Sequence, residues 1–127
     1  MKLDHATLAT PHLNTVRDFL CNVVGLTIGP RPAFSFDGLW LYHDDKAVIH
    51  IIKTKTDLPP TKQSSRIDHL AFRVETAAQW DTLVAKLAES KIEHRLTALP
   101  DNSELQLFTI PVPGIVIEFV IVNTTSA

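Results

Sequence analysis

The residues of this chain whose types and spacing could do chemistry are His5, His50, His69 and Glu118. Strand side chains alternate between two faces. In Ala47-Val48-Ile49-His50-Ile51-Ile52 a histidine interrupts an otherwise apolar run, and in Ile115-Val116-Ile117-Glu118-Phe119-Val120-Ile121 a glutamate does the same. An ionised carboxylate buried without a partner is very costly, so Glu118 calls for a cation, a hydrogen-bond set or a metal. His5 and His69 open two further strand-like runs in the same way, as Asp4-His5 and Asp68-His69. The intervals are similar, 45 residues from His5 to His50 and 49 from His69 to Glu118. Each residue alone has a plain explanation. A strand histidine is commonly a satisfied core or edge residue, and Glu118 could pair with Arg73 or Arg95. Jointly, four ligand-type residues at two pairs of equivalent positions point to one shared divalent-metal site.

Other candidates are weaker. Arg73 lies four residues beyond His69, on the same strand face, with small Ala71 between them. Its planar fork suits a substrate carboxylate or enolate oxygen, and the alternative is an ion pair with Glu75, Glu93 or Glu104. Leu70, Phe72 and Val74 take the opposite face and are expected under the helices. Trp40 and Tyr42 are the stacking candidates, hairpin packing being their plainer reading. His12, His43 and His94 sit beside helix ends or a turn and read as surface residues.

The elements that must position these residues are written twice. Lys2–Leu8 reads as a strand, and Thr10-Pro11 as an N-cap with proline at the first helical position. Leu13, Val16, Phe19, Leu20, Val23 and Val24 then recur at helical spacing up to Gly25. Ile67–Val74 is the second opening strand, Thr76-Ala77-Ala78-Gln79 a capping box, and Trp80, Leu83, Val84 and Leu87 one helical face. Three short strands follow each helix: Thr27–Gly29, Leu39–His43 and Ala47–Lys53, then His94–Ala98, Leu105–Ile110 and Ile115–Ile121. The chain therefore reads as one α+β domain, residues 1–127, with β-α-β-β-β modules at 1–55 and 66–122. Residues 56–65 have linker composition.

Composition bounds the function classes. The chain has 127 residues, room for one domain, with a net charge of −2 and scattered Lys and Arg, which speaks against nucleic acid or an acidic membrane surface. Its apolar runs fall far short of a membrane-spanning helix. The single cysteine, Cys21, excludes an internal disulfide framework and suits a reducing cytoplasm. The opening Met1-Lys2-Leu3-Asp4-His5 leaves no room for a signal peptide.

The pattern resembles the vicinal oxygen chelate superfamily of glyoxalase I, fosfomycin-resistance, bleomycin-resistance and extradiol dioxygenase proteins. The resemblance runs from Asp4 to about Val122. It is carried by Asp4-His5, Trp40-Leu41-Tyr42 with Val48-Ile49-His50, Ile67-Asp68-His69-Leu70-Ala71-Phe72-Arg73, and Gln106-Leu107-Phe108 through Ile117-Glu118. It implies an eight-stranded, partly open barrel around one divalent ion (Zn, Ni, Fe, Mn or Co), with His5, His50, His69 and Glu118 as ligands. The implied activity is glyoxalase-like lyase or isomerase chemistry through a metal-stabilised enolate, acting on a small molecule, with Glu118 and His50 in catalytic roles. His50 is then either a fourth ligand or a general base. The alternatives are a non-haem Fe(II) ring-cleaving dioxygenase, for which His5, His69 and Glu118 are the matching ligand set, and a metal-free bleomycin-resistance-type binding protein. Two departures stand out. Glyoxalase I usually has a carboxylate where this chain has His50, and many members of the superfamily carry Asp-Pro-Asp-Gly in the last hairpin, where this chain reads Pro111-Val112-Pro113-Gly114. A homodimer is also implied, since relatives assemble their modules about a twofold axis.

Overall fold

The computed structural model describes residues 1–55 and 65–124. Most of the expected linker, at 56–64, lies outside the described residues. The elements follow in the order β1 (Lys2–Thr10), α1 (Leu13–Phe19), a π-helical turn (Leu20–Val24), β2 (Thr27–Gly29), β3 (Gly38–His43), β4 (Lys46–Lys53), β5 (Arg66–Arg73), α2 (Ala77–Glu89), β6 (Glu93–Ala98), β7 (Glu104–Val112) and β8 (Ile115–Val122). This is the α+β class read from the sequence, an open eight-stranded mixed sheet with two helices. The chain divides into two compact units. The first is His5–Asp68, and the second is Met1–Asp4 with His69–Ala127. Strand β1 is thus shared between them, its first residues belonging with the second unit.

In the first unit the strand order is β2-β3-β4-β1. β1 runs parallel to β4, and β3 antiparallel to both β2 and β4. The β3–β4 hairpin turns at Asp44, whose φ of 53° is the left-handed conformation that Asp tolerates. Leu41, Ile51 and Ala9 are all fully buried, forming the apolar side of these strands. At β2, Gly29 is required by packing: a Cβ there would meet the Tyr42 ring at 2.5 Å.

The first helix departs from its sequence pattern. Thr10 remains in β1, paired opposite Lys53, so the helix starts at Leu13 with His12 as an N-cap that makes no side-chain cap bond. The Thr10 hydroxyl instead accepts from the His12 backbone N–H at 3.0 Å, capping the connection rather than the helix. The helix widens into a π-turn, which Gly25 closes at φ 92°. No residue of α1 or the π-turn is buried, and Phe19, Val23 and Val24 are 57%, 69% and 56% exposed.

The second unit repeats the order as β5-β8-β7-β6, with β5 parallel to β8 and β7 antiparallel to β6 and β8. Here the capping box forms as read: Thr76 Oγ1 accepts from Gln79 N at 3.2 Å. The Gln79 side chain reaches back one residue further than the standard box, to Glu75 N at 3.1 Å. Leu83 and Leu87 of α2 pack with Val74, Leu107 and Ile121, and Trp80, Ile92, Leu105 and Phe119 close the cluster. Of the face expected under the helix, Val74 enters this core, whereas Leu70 stays 38% exposed.

Candidate metal centre

Pairing register determines which side chains share a row. In the first unit Thr7 lies opposite His50 on β4, and His50 opposite Trp40 on β3. In the second unit Ala71 lies opposite Glu118 on β8, and Glu118 opposite Phe108 on β7. His5 and His69 each stand two residues before the row, at Thr7 and Ala71 respectively, and so on its face. The duplication seen in sequence is thus preserved strand by strand: His50 and Glu118 occupy equivalent positions, as do His5 and His69.

The second unit builds a closely coupled pair. Glu118 is 1% exposed, and its Oε1 lies 3.0 Å from His69 Nε2. Its other oxygen, Oε2, accepts from Gln106 Nε2 at 3.0 Å. The Thr97 hydroxyl donates to Gln106 Oε1 at 3.2 Å, which leaves the Gln106 amide N–H pointing at the carboxylate. Phe108 meets the His69 ring edge-on, with centroids 5.5 Å apart and planes at 85°. Gln106 and Thr97 were not singled out from sequence. The available signal was a polar residue inside the alternating run Leu105-Gln106-Leu107, on the same face as Glu118.

The donor set fits a divalent ion. An imidazole nitrogen and a carboxylate oxygen are the donor types that would hold such an ion. The His69 nitrogen and the Glu118 oxygen lie 3.0 Å apart, and Gln106 anchors the remaining carboxylate oxygen as outer-shell partners commonly do.

The first unit arranges its pair differently. His5 is 5% exposed, and its ring stacks on His50 with centroids 3.6 Å apart and planes at 19°. On its other face His50 stacks on Trp40, at 3.9 Å and 9°. An imidazole nitrogen binds a metal through a lone pair that lies in the ring plane. In this arrangement the two ring planes are nearly parallel, so the lone pairs of His5 and His50 lie in separate planes. Trp40 packs within the β3–β4 hairpin, the plainer of its two readings, with His50 as its cross-strand neighbour. Tyr42 does pack in the hairpin, its hydroxyl donating to the Pro30 carbonyl; burial raises its pKa above the ordinary 10.0.

Arg73 is committed to protein partners. Its Nε donates to Asp4 Oδ1 at 3.0 Å and its Nη1 to Glu104. Burial works against the guanidinium charge, but the hydrogen bonds and charges of Glu104 and Asp4 outweigh it and raise its pKa above the ordinary value. Glu104 was one of the partners read from sequence; Asp4 was not. His12, His43 and His94 are all exposed, as expected.

Neither a family profile nor a curated sequence matches the chain. Solved structures do. The chain is similar to methylmalonyl-CoA epimerase from Mycobacterium tuberculosis, with a TM-score of 0.70 and 16% identity over 98% of this chain and 89% of the other. It is similar to the 2,3-dioxygenase LapB from Pseudomonas sp. KL28, with a TM-score of 0.75 and 19% identity over 97% of this chain and 41% of that one. A variant of homoprotocatechuate 2,3-dioxygenase from Brevibacterium fuscum gives 0.74 and 18% over 98% of this chain and 33% of the other. The chain thus spans nearly all of the epimerase but well under half of either dioxygenase. Two β-α-β-β-β units, with ligand-type residues at equivalent rows of each, give this chain the vicinal oxygen chelate fold.

Proposed function

We propose that the protein is a divalent-metal-dependent enzyme acting on a small molecule that presents two neighbouring oxygens, through lyase or isomerase chemistry. The observation that carries the reading is the buried Glu118 carboxylate held between His69 and Gln106. An apolar strand has no structural need for that charge, and burying it is costly unless it binds something. In this proposal His69 and Glu118 are protein ligands of one ion, with His5 as the third ligand that the family resemblance implies. The ion supplies Lewis acidity toward the substrate oxygens. His69 and Glu118 hold the site at one edge, Gln106 keeps the carboxylate oriented, and His50 remains off the ion as the base that takes a proton from carbon next to a carbonyl. Arg73 braces Asp4 and Glu104 instead of reaching substrate.

A second reading has its own support. Two histidines and one carboxylate are the ligand composition of non-haem Fe(II) oxygenases, and dioxygenases are among the solved structures of this fold. One experiment separates the two. Protein prepared without a histidine tag is analysed for metal, then screened aerobically and anaerobically against acyl thioesters, methylglyoxal adducts and catechols. The proposal expects about one ion per chain and solvent-deuterium incorporation that needs no oxygen. Oxygen consumption with a catechol would replace it with the dioxygenase reading, and a metal-free protein that binds its ligand unchanged would replace both with a sequestering role.

The reading includes a homodimer in the cytoplasm. Support for the dimer is the uncovered apolar set Phe19, Val23, Val24 and Ile28, each more than half exposed. Sedimentation showing only a 14.1 kDa species at micromolar concentration would overturn it. Among the described residues no helix is long and apolar enough to cross a membrane.

A further inference from the structure

Three rings of the first unit form one stack. Trp40 and His50 are cross-strand partners on β3 and β4, with centroids 3.9 Å apart and planes at 9°. His50 then lies on His5 at 3.6 Å and 19°. Its imidazole is covered on both faces, by an indole and by a second imidazole. Behind Trp40 the ring of Phe34 is tilted at 52°, 6.4 Å away, and Arg31 lies over Phe34 at 4.9 Å. The Arg31 guanidinium also donates to the Phe36 carbonyl at 2.9 Å, tying the loop that backs the indole.

The equivalent row of the second unit makes an instructive contrast. Phe108 stands opposite Glu118 as Trp40 stands opposite His50. Yet Phe108 meets His69 edge-on, so the ring leaves the His69 nitrogen directed at the carboxylate 3.0 Å away. One aromatic position touches an imidazole at its edge; the other covers an imidazole face. A face-to-face sandwich fixes the plane of the covered ring and so the directions in which its nitrogens can point.

We propose that Trp40 is a positioning residue that clamps the His50 ring parallel to His5 and keeps it off the ion. This inference rests on the metal site proposed above. It explains how a ligand-type residue at the position equivalent to Glu118 can serve as something other than a ligand. His50 would need to turn its ring out of the stack to bring a nitrogen to an ion held by His5, and the indole blocks that turn. In the Trp40→Ala variant the block is gone, and His50 becomes available as a fourth protein ligand. Phenylalanine at the same place preserves a covering ring and should preserve the clamp.

The test uses Mn(II) as the probe, with water-proton relaxation counting the exchangeable waters on the bound ion. Wild-type protein and Trp40→Phe should give the same water count and affinity. Trp40→Ala should lose one water and bind Mn(II) more tightly by about tenfold, the scale on which neighbours that orient ligands shift metal affinity. Adding His50→Ala to that variant should return both values to wild type. If His50→Ala alone weakens Mn(II) binding about tenfold or adds a water, His50 is already a ligand and the inference is overturned. An unchanged water count in Trp40→Ala overturns it as well. A metal-free readout separates this inference from the functional reading. In apo protein the His50 ring protons should be shifted upfield by the Trp40 ring current and move downfield in Trp40→Ala. Wild-type protein that binds no Mn(II) refutes the metal site, while unshifted His50 protons refute the clamp.

Discussion

Replacing Glu118 by Gln tests the metal site with the least disturbance of the strand. The glutamine has nearly the same shape, so no cavity forms. Its amide oxygen can accept from Gln106 Nε2, as Glu118 Oε2 does at 3.0 Å. Its amide nitrogen can donate to His69 Nε2, where Glu118 Oε1 stands at 3.0 Å, if that ring carries its proton on Nδ1. Two hydrogen bonds survive and a buried charge is removed, so the metal-free variant should match wild-type stability within about 1 kcal/mol. Glu118→Ala is different: it leaves His69 and Gln106 without their partner and opens a hole at a residue that is 1% exposed. Lost partners and cavity together should cost about 3–5 kcal/mol. For a domain of this size that is a fall in Tm of roughly 10–20 °C. The assay is a thermal melt with and without a divalent ion. An ion at about 100 times its Kd stabilises a protein by about 2.7 kcal/mol, so wild-type Tm should rise by roughly 10 °C. Neither variant should respond. A Glu118→Gln protein whose melt still shifts as wild type does would remove Glu118 from the ligand set and with it the basis of the proposed function.

Further expectations concern the supports of the site. Arg73→Ala removes two charge-assisted bonds, to Glu104 and to Asp4, whose side chain is 10% exposed, so unfolding free energy in urea should drop by about 2–3 kcal/mol; an unchanged midpoint with weakened binding of an anionic ligand would return Arg73 to substrate recognition. Tyr42 is the only tyrosine, and its native pKa is raised by burial. Its contribution to stability should be complete below the ordinary value of 10.0 and lost as pH rises through the higher native value. Phenolate absorbance in native protein should therefore appear at higher pH than in urea, and coincident curves would contradict the packing. Thr76→Ala should cost about 1 kcal/mol by leaving the Gln79 N–H uncapped, whereas Thr10→Ala should not reduce helicity in the first unit, because Thr10 caps a strand exit and not α1.

The amino-acid sequence by itself determined the element order, the duplication and the equivalence of its chemical residues. Periodicity of two and of 3.6 is a local property, and His50 and Glu118 broke it visibly in runs that were otherwise apolar. The capping box at Thr76 was equally local, and it formed. Tertiary structure decided what local pattern could not carry. Thr10 had the chemistry of a helix cap, but pairing with β4 kept it in a strand and moved the start of α1. Nothing local to the Leu105-Gln106-Leu107 run names a partner for Gln106; the pairing of β7 with β8 brings it in reach of Glu118. Arg73 could have paired with any of several acids, and the choice of Asp4 and Glu104 depends on which residues the fold brings beside β5. His50 shows the difference most sharply. Its type and spacing left it either a fourth ligand or a general base, and the stacking of Trp40 and His5 on its two faces, which sets the plane of its nitrogens, is visible only in the packing. Composition and spacing specify which atoms are available; only packing specifies where their lone pairs point.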